Sequence, residues 1–112
     1  MVTMEINFLV QGSAKDPYEV TFIKDGDNLA ALCTCPAGKM GQYCKHRINI
    51  LGGSIKNVVS ENVDDVKVVE SWLPGTDVET ALIEVLAAEK EFKAAKQNLM
   101  NYKKKLARVM HD

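Results

Sequence analysis

The chain opens on a simple alternation. Met4, Ile6, Phe8 and Val10 are apolar, with Glu5 and Asn7 between them, a period-two pattern that predicts a strand with one buried face. Gln11 to Pro17 is a turn cluster. Tyr18, Val20 and Phe22 then alternate with Glu19 and Thr21, in residue types that suit a pleated surface. Asp25-Gly26-Asp27-Asn28 has the chemistry of a hairpin turn, and Leu29 to Cys33 reads as a third strand. The simplest arrangement of the three is an antiparallel meander, with Tyr18 and Phe22 in its core.

After residue 44 the period changes from two to between three and four. Ile48 and Leu51 predict a short helix from Lys45 to Leu51, facing the core on those two residues and stopped by Gly52-Gly53. Val63, Val66, Val69 and Trp72–Leu73 predict a second short helix from about Asn62 to Leu73, anchored by Trp72. Its valines are modest helix formers, so the spacing and the propensity disagree there. Pro74-Gly75 breaks the chain, and Thr76-Asp-Val-Glu79 is a capping box that starts a third helix. From Asp77 to about Met110 there is no glycine or proline, which predicts a single helix about 50 Å long at 1.5 Å per residue.

That last segment carries a heptad pattern. With Val78 at a, the a positions are Val78, Val85, Phe92, Leu99 and Leu106, and the d positions are Ala81, Ala88, Ala95, Tyr102 and Val109. Five consecutive heptads predict a helix-pairing surface, with Val85, Ala88, Phe92, Ala95, Leu99, Tyr102 and Leu106 as its working residues. Acids (Asp77, Glu79, Glu84, Glu89, Glu91) fill the first half and bases (Lys96, Lys103, Lys104, Lys105, Arg108) the second. An antiparallel copy would bring Glu84 opposite Lys105 and Glu89 near Lys96 or Lys103, whereas a parallel one would stack like charges. The expected partner of residues 78–109 is therefore an antiparallel homodimer mate or a helix of another protein, unless the helix docks on its own domain.

The chemistry is concentrated in Cys33-Thr-Cys-Pro-Ala-Gly-Lys-Met-Gly-Gln-Tyr-Cys-Lys-His46, which holds all three cysteines and one of the two histidines. Cys33, Cys35, Cys44 and His46 offer four donors that suit Zn²⁺, which takes thiolate and imidazole at tetrahedral corners. Residues i and i+2 of an extended segment share a face, so Cys33 and Cys35 can grip one ion together. Pro36, Gly38 and Gly41 let the loop turn back to Cys44 and His46. Four protein donors favour a structural ion, since a catalytic zinc keeps a position open for water. The alternatives are inert core cysteines, a redox dithiol or another metal. Three cysteines cannot all pair within one chain, and no hydrophobic signal segment is evident, so a secreted disulfide framework is not expected.

C-x-C, a short glycine-containing loop and C-x-H running into an apolar helix resemble the SWIM-type zinc finger. Tyr18-Glu-Val-Thr-Phe-Ile-Lys before the ligands and Lys45-His-Arg-Ile-Asn-Ile-Leu after them fit the same family, over about residues 18 to 52. The resemblance implies one structural Zn²⁺ held by Cys33, Cys35, Cys44 and His46, and a role in binding DNA or protein. The fold class expected is α+β, a three-stranded meander with a SWIM-like zinc-binding ββα finger, then a short helix and a long C-terminal helix. Its parts are residues 1–53 (meander and finger), 54–75 (connecting segment) and 76–112 (heptad helix).

Net charge is −1, but its distribution says more. Residues 28–60 contain no acid, and Lys39, Lys45, Arg47 and Lys56 give that stretch +4. Three thiolates and Zn²⁺ together add −1, so the loaded finger stays near +3. Those four residues are the candidate contacts to nucleic acid, although this is far from the strong basic stripe of a dedicated binder. Nothing resembles a serine–histidine–acid set, a phosphate-cradling glycine loop or a spare carboxylate pair, so no enzyme is expected and no small-molecule substrate is evident. No apolar run approaches the eighteen or so residues needed to cross a bilayer. Thiolates kept for metal suit a reducing, cytoplasmic setting.

Overall fold

The computed structural model describes residues 3–111; Met1, Val2 and Asp112, which the expected ranges 1–53 and 76–112 include, lie outside them. Three strands, β1 (Thr3–Val10), β2 (Tyr18–Asp25) and β3 (Asn28–Cys33), form one antiparallel sheet in the order β1-β2-β3. The alternation fixes which face is buried. Phe8 pairs with Val20, Val20 with Cys33, and Phe22 with Ala31, so these apolar residues share one face, while Leu9, Ile23 and Leu32 fall on the other. Phe8 and Phe22 meet edge to face, with ring centroids 6.0 Å apart.

Three helical segments come before the long helix: α1 (Pro36–Lys39), α2 (Lys45–Leu51) and α3 (Val66–Trp72), the last entered through a 3₁₀ turn at Val63–Asp65. Ile50 and Leu51 of α2 and Val66, Val69 and Trp72 of α3 join Phe8, Val10, Val20, Phe22, Leu29 and Cys33 in one buried cluster. Two details differ from expectation. Ile50 takes the core position assigned to Ile48, which is only half-buried. The helix at 62–73 begins as a 3₁₀ turn, its first α-helical residue being Val66.

The segment between α2 and α3 lies along the free edge of β1. Val58 bridges Val10, the Gln11 amide donates to the Asn57 carbonyl at 2.8 Å, and the Val59 amide donates to the Leu9 carbonyl at 2.8 Å. Asn62 Nδ2 donates to the Asn7 carbonyl at 2.7 Å. An edge that would otherwise offer unpaired backbone groups is thereby covered.

The chain divides into two compact units, Met1–Glu79 and Thr80–Asp112. The final helix, α4 (Asp77–His111), begins in the first and makes up the second. Its start is capped in the first unit: the Glu79 amide donates to Thr76 Oγ1 at 3.2 Å, and Thr76 is buried. The return bond of the capping box goes one residue earlier than the standard motif, from the Gly75 amide to Glu79 Oε1 at 3.0 Å. Val78 packs against the buried cluster. No residue of α4 is buried, and no helix among the described residues is long and apolar enough to cross a membrane.

Candidate metal centre

The ligand site is assembled by the ends of three elements. Cys33 closes β3, Cys35 caps α1, Cys44 caps α2, and His46 is the second residue of α2. Their ligand atoms all lie within 4.8 Å of one another, and the three cysteines are buried while His46 is half-buried. Cys33 Sγ lies 3.6 Å and Cys44 Sγ 3.4 Å from His46 Nδ1, and Cys35 Sγ lies 3.4 Å from Cys44 Sγ. Zinc with sulfur at about 2.3 Å and nitrogen at about 2.05 Å on tetrahedral corners needs S···N edges of about 3.6 Å and S···S edges of about 3.8 Å. Those three edges match that tetrahedron within about 0.4 Å, and the remaining pairs lie within 4.8 Å. Nδ1 is the imidazole nitrogen that faces the sulfurs, a choice the sequence left open.

No disulfide competes with the metal. All three cysteines are free, and the shortest sulfur pair is far beyond the bond length of about 2.05 Å.

Local structure around the ligands explains why the loop turns as it does. Cys35 Sγ accepts from the Gly38 amide at 3.3 Å, so the sulfur that binds metal also caps α1. Gly38 must be glycine: a Cβ there would lie 2.3 Å from the Cys33 carbonyl oxygen and 2.8 Å from Cys33 Cβ. The tilted Tyr18 ring packs on the His46 imidazole, with centroids 5.2 Å apart. A Cβ on Gly12 would lie 2.5 Å from that tyrosine ring and 3.3 Å from His46 Nε2, so the 11–13 turn presses on the same pair. Tyr18 thus has a second task besides packing, orienting a ligand from behind.

Electrostatics separates the sulfurs in the metal-free geometry. Burial pushes the Cys33 thiol up to about 12. Burial acts the same way on Cys44, but hydrogen bonds from the Arg47 and His46 backbone and from the neighbouring sulfurs outweigh it and bring the thiol down to about 6. The surroundings of Cys44 thus favour the thiolate that a cation requires.

The expected nucleic-acid contacts fare differently from one another. Lys39, at the end of α1, Lys45, at the start of α2, and Lys56, beyond α2, are exposed. Arg47 is half-buried, and its guanidinium donates to the Ala31 carbonyl at 3.1 Å and to the Gln42 carbonyl. It braces β3 against the loop, so its fork is already used. Nothing in the spacing of Cys44, His46 and Arg47 distinguishes a brace from a free cation. Beside the lysines, Met40 and Tyr43 stand 74% and 53% exposed. The expected helix-pairing residues lie on α4, where Phe92, Leu99, Tyr102 and Leu106 are all more than half exposed.

Residues 18–50 match the family model of the SWIM zinc finger, under a third of the chain and the part that contains all four ligands. No curated protein and no solved structure matches the chain. The matched segment is a zinc-binding SWIM finger, and its Cys₃His cluster fits one structural zinc ion.

Proposed function

We propose that this chain is a zinc-supported interaction module whose finger takes nucleic acid, DNA in the first instance, on the exposed lysines of its acid-free segment. The observation that carries the reading is the exposure of Lys39, Lys45 and Lys56 within residues 28–60, a stretch without a single carboxylate. Each lysine can meet a phosphate as a point charge, and the exposed Tyr43 ring offers a flat face to a base. Zinc holds the loop that carries them and takes no part in chemistry. With four protein donors on a tetrahedral ion there is no open position for water, which supports a binder over an enzyme. A reducing compartment such as the cytoplasm suits the thiolates.

Fluorescence anisotropy with labelled single- and double-stranded oligonucleotides across a salt series tests this. Three lysines neutralising three phosphates give a slope of log K against log salt of about −2 to −3. Lys39→Glu with Lys45→Glu is expected to remove binding while zinc is retained. Absence of binding at low salt, or an affinity indifferent to salt, overturns the reading.

A second reading is supported by the bare apolar seam of α4. On it the chain is a protein-interaction adaptor, and affinity responds to Phe92→Ala or Leu99→Ala and hardly to salt.

A further inference from the structure

We infer that two copies of this chain pair through α4, antiparallel, about a two-fold axis that passes between Lys93 and Ala94. This gives the second reading above a definite occupant, and it stands or falls independently of nucleic-acid binding by the finger.

The seam is bare. Phe92 is 71% exposed, Tyr102 69%, Leu106 60% and Leu99 54%. Phe92, Ala95, Lys96 and Leu99 line an apolar groove of about 350 Å³ on the helix surface.

Side-chain size selects the direction. An antiparallel pair sets a positions against d positions, a parallel pair sets each against itself. In the antiparallel register where Phe92 faces Ala95 of the second copy, Leu99 faces Ala88, Leu106 faces Ala81 and Val85 faces Tyr102. Each of the three alanines at d thus receives one bulky residue from the other copy, and large and small alternate down the seam. Parallel pairing would oppose Phe92 to Phe92 and leave the alanine layers at 81, 88 and 95 as gaps, and unfilled core space destabilises.

Charge favours the same antiparallel direction independently. The flanking positions carry Glu89, Lys96 and Lys103 on one side of the seam and Glu84, Glu91 and Lys105 on the other. An antiparallel pair matches each flank with its own counterpart. In the register chosen by size, Glu89 meets Lys96 of the second copy, Glu84 meets Lys105 and Glu91 meets Asn98. Among the flanking residues from 82 to 105 no like charges face each other. A slip of one heptad in one direction sets Lys96 against Lys96 but keeps Glu89 against Lys103 and Glu91 against Lys105. Size decides there, because Phe92 would meet Tyr102. A slip in the other direction sets Glu89 against Glu89 and Glu91 against Glu91. Parallel pairing sets Glu84 against Glu89 and keeps Glu91 against Lys96 as its one attractive pair. Two unrelated properties of the same side chains therefore agree on the antiparallel direction, size fixes the register, and the partner they fit is this helix itself.

Sedimentation equilibrium on the full zinc-loaded chain, over a wide concentration range and without nucleic acid, tests the proposal. The wild type is expected to show a concentration-dependent dimer. Glu89→Lys is expected to raise the dissociation constant roughly tenfold, the scale of two exposed ion pairs turned repulsive. Adding Lys96→Glu to it is expected to restore the wild-type value, since the pair is then re-formed with its signs exchanged. Far-UV circular dichroism of each variant separates loss of pairing from loss of helix. A strict monomer at all concentrations overturns the proposal and leaves the seam to a helix of another protein. A dimer tightened by Glu89→Lys is parallel, and one that ignores both Glu89→Lys and Phe92→Ala uses another surface; either result also overturns it.

Discussion

Cys33 and Cys44 sit in one cluster yet hold their protons oppositely, and this sets how the finger responds to acid. An unfolded cysteine titrates near 9.0, whereas the folded environment brings Cys44 down to about 6. Between those values the unfolded chain carries a proton on Cys44 that the fold does not. The stability Cys44 contributes is therefore present in full above about pH 9, declines as pH falls and is gone below about 6. Cys33, raised to about 12, contributes in the opposite sense, but its contribution is lost only as pH climbs from about 9 to 12. Zinc acts in the direction of Cys44, because it binds thiolates and releases their protons. In the loaded chain the metal governs the thiols, so the thermal midpoint is expected to fall as pH is lowered from about 8 to 6, and a midpoint constant across that interval contradicts thiolate ligation. Gly38→Ala tests the backbone side of the site. The added methyl meets the Cys33 carbonyl at 2.3 Å, so competition with a chromophoric chelator is expected to show zinc affinity lowered about tenfold or more, the range found when groups supporting ligands are disturbed. At this scale donor identity was legible in the sequence and donor orientation was not. Four ligands follow from residue type and order, but Nδ1 of His46, the Tyr18 ring behind it and the occupied Arg47 fork all depend on the three-dimensional path of residues far apart in the chain.

Among the elements, the three strands and α2 fall where alternation and the glycine stop place them, because one buried face leaves a period-two pattern no freedom of register. α1 was not legible: four residues are too few for a periodic signal, and its cap is a sulfur whose other role is to bind metal. In α2 Leu51 is buried as its spacing predicts, but the second core residue is not Ile48, for a related reason. Cys44 and His46 must turn toward the ion, and that constraint rotates Ile50 into the core in place of Ile48. Metal geometry, absent from any hydrophobic pattern, decided the helix face. The capping box at α4 was legible in its main bond and is directly testable. Thr76 is buried, its hydroxyl donates to the Leu73 carbonyl at 2.6 Å and accepts from the Glu79 amide at 3.2 Å. Thr76→Ala removes both bonds and is expected to lower stability by about 1–2 kcal/mol in urea denaturation; a change within experimental error would show that the cap is not what starts this helix.

For the molecule as a whole, the balance of energies puts the metal first. Structural zinc in small fingers is worth about 10–16 kcal/mol, against a net stability of about 5–15 kcal/mol for an entire domain. The finger commits its loop, α1 and the start of α2 to four ligands and buries three of them in the same cluster as Phe8, Phe22 and Trp72. Residues 33–52 are therefore expected to lose their order when zinc is stripped, seen as collapse of amide-exchange protection there and reduced helical dichroism, whereas protection unchanged by a strong chelator would mean that the sheet and α3 hold the loop unaided. Elemental analysis of the purified, folded chain, paired with alkylation before and after chelation, reaches the central claim most directly. One zinc per chain, with Cys33, Cys35 and Cys44 unreactive until the metal is removed, is the predicted result. A folded chain without stoichiometric zinc, its three sulfurs freely alkylated, would contradict it.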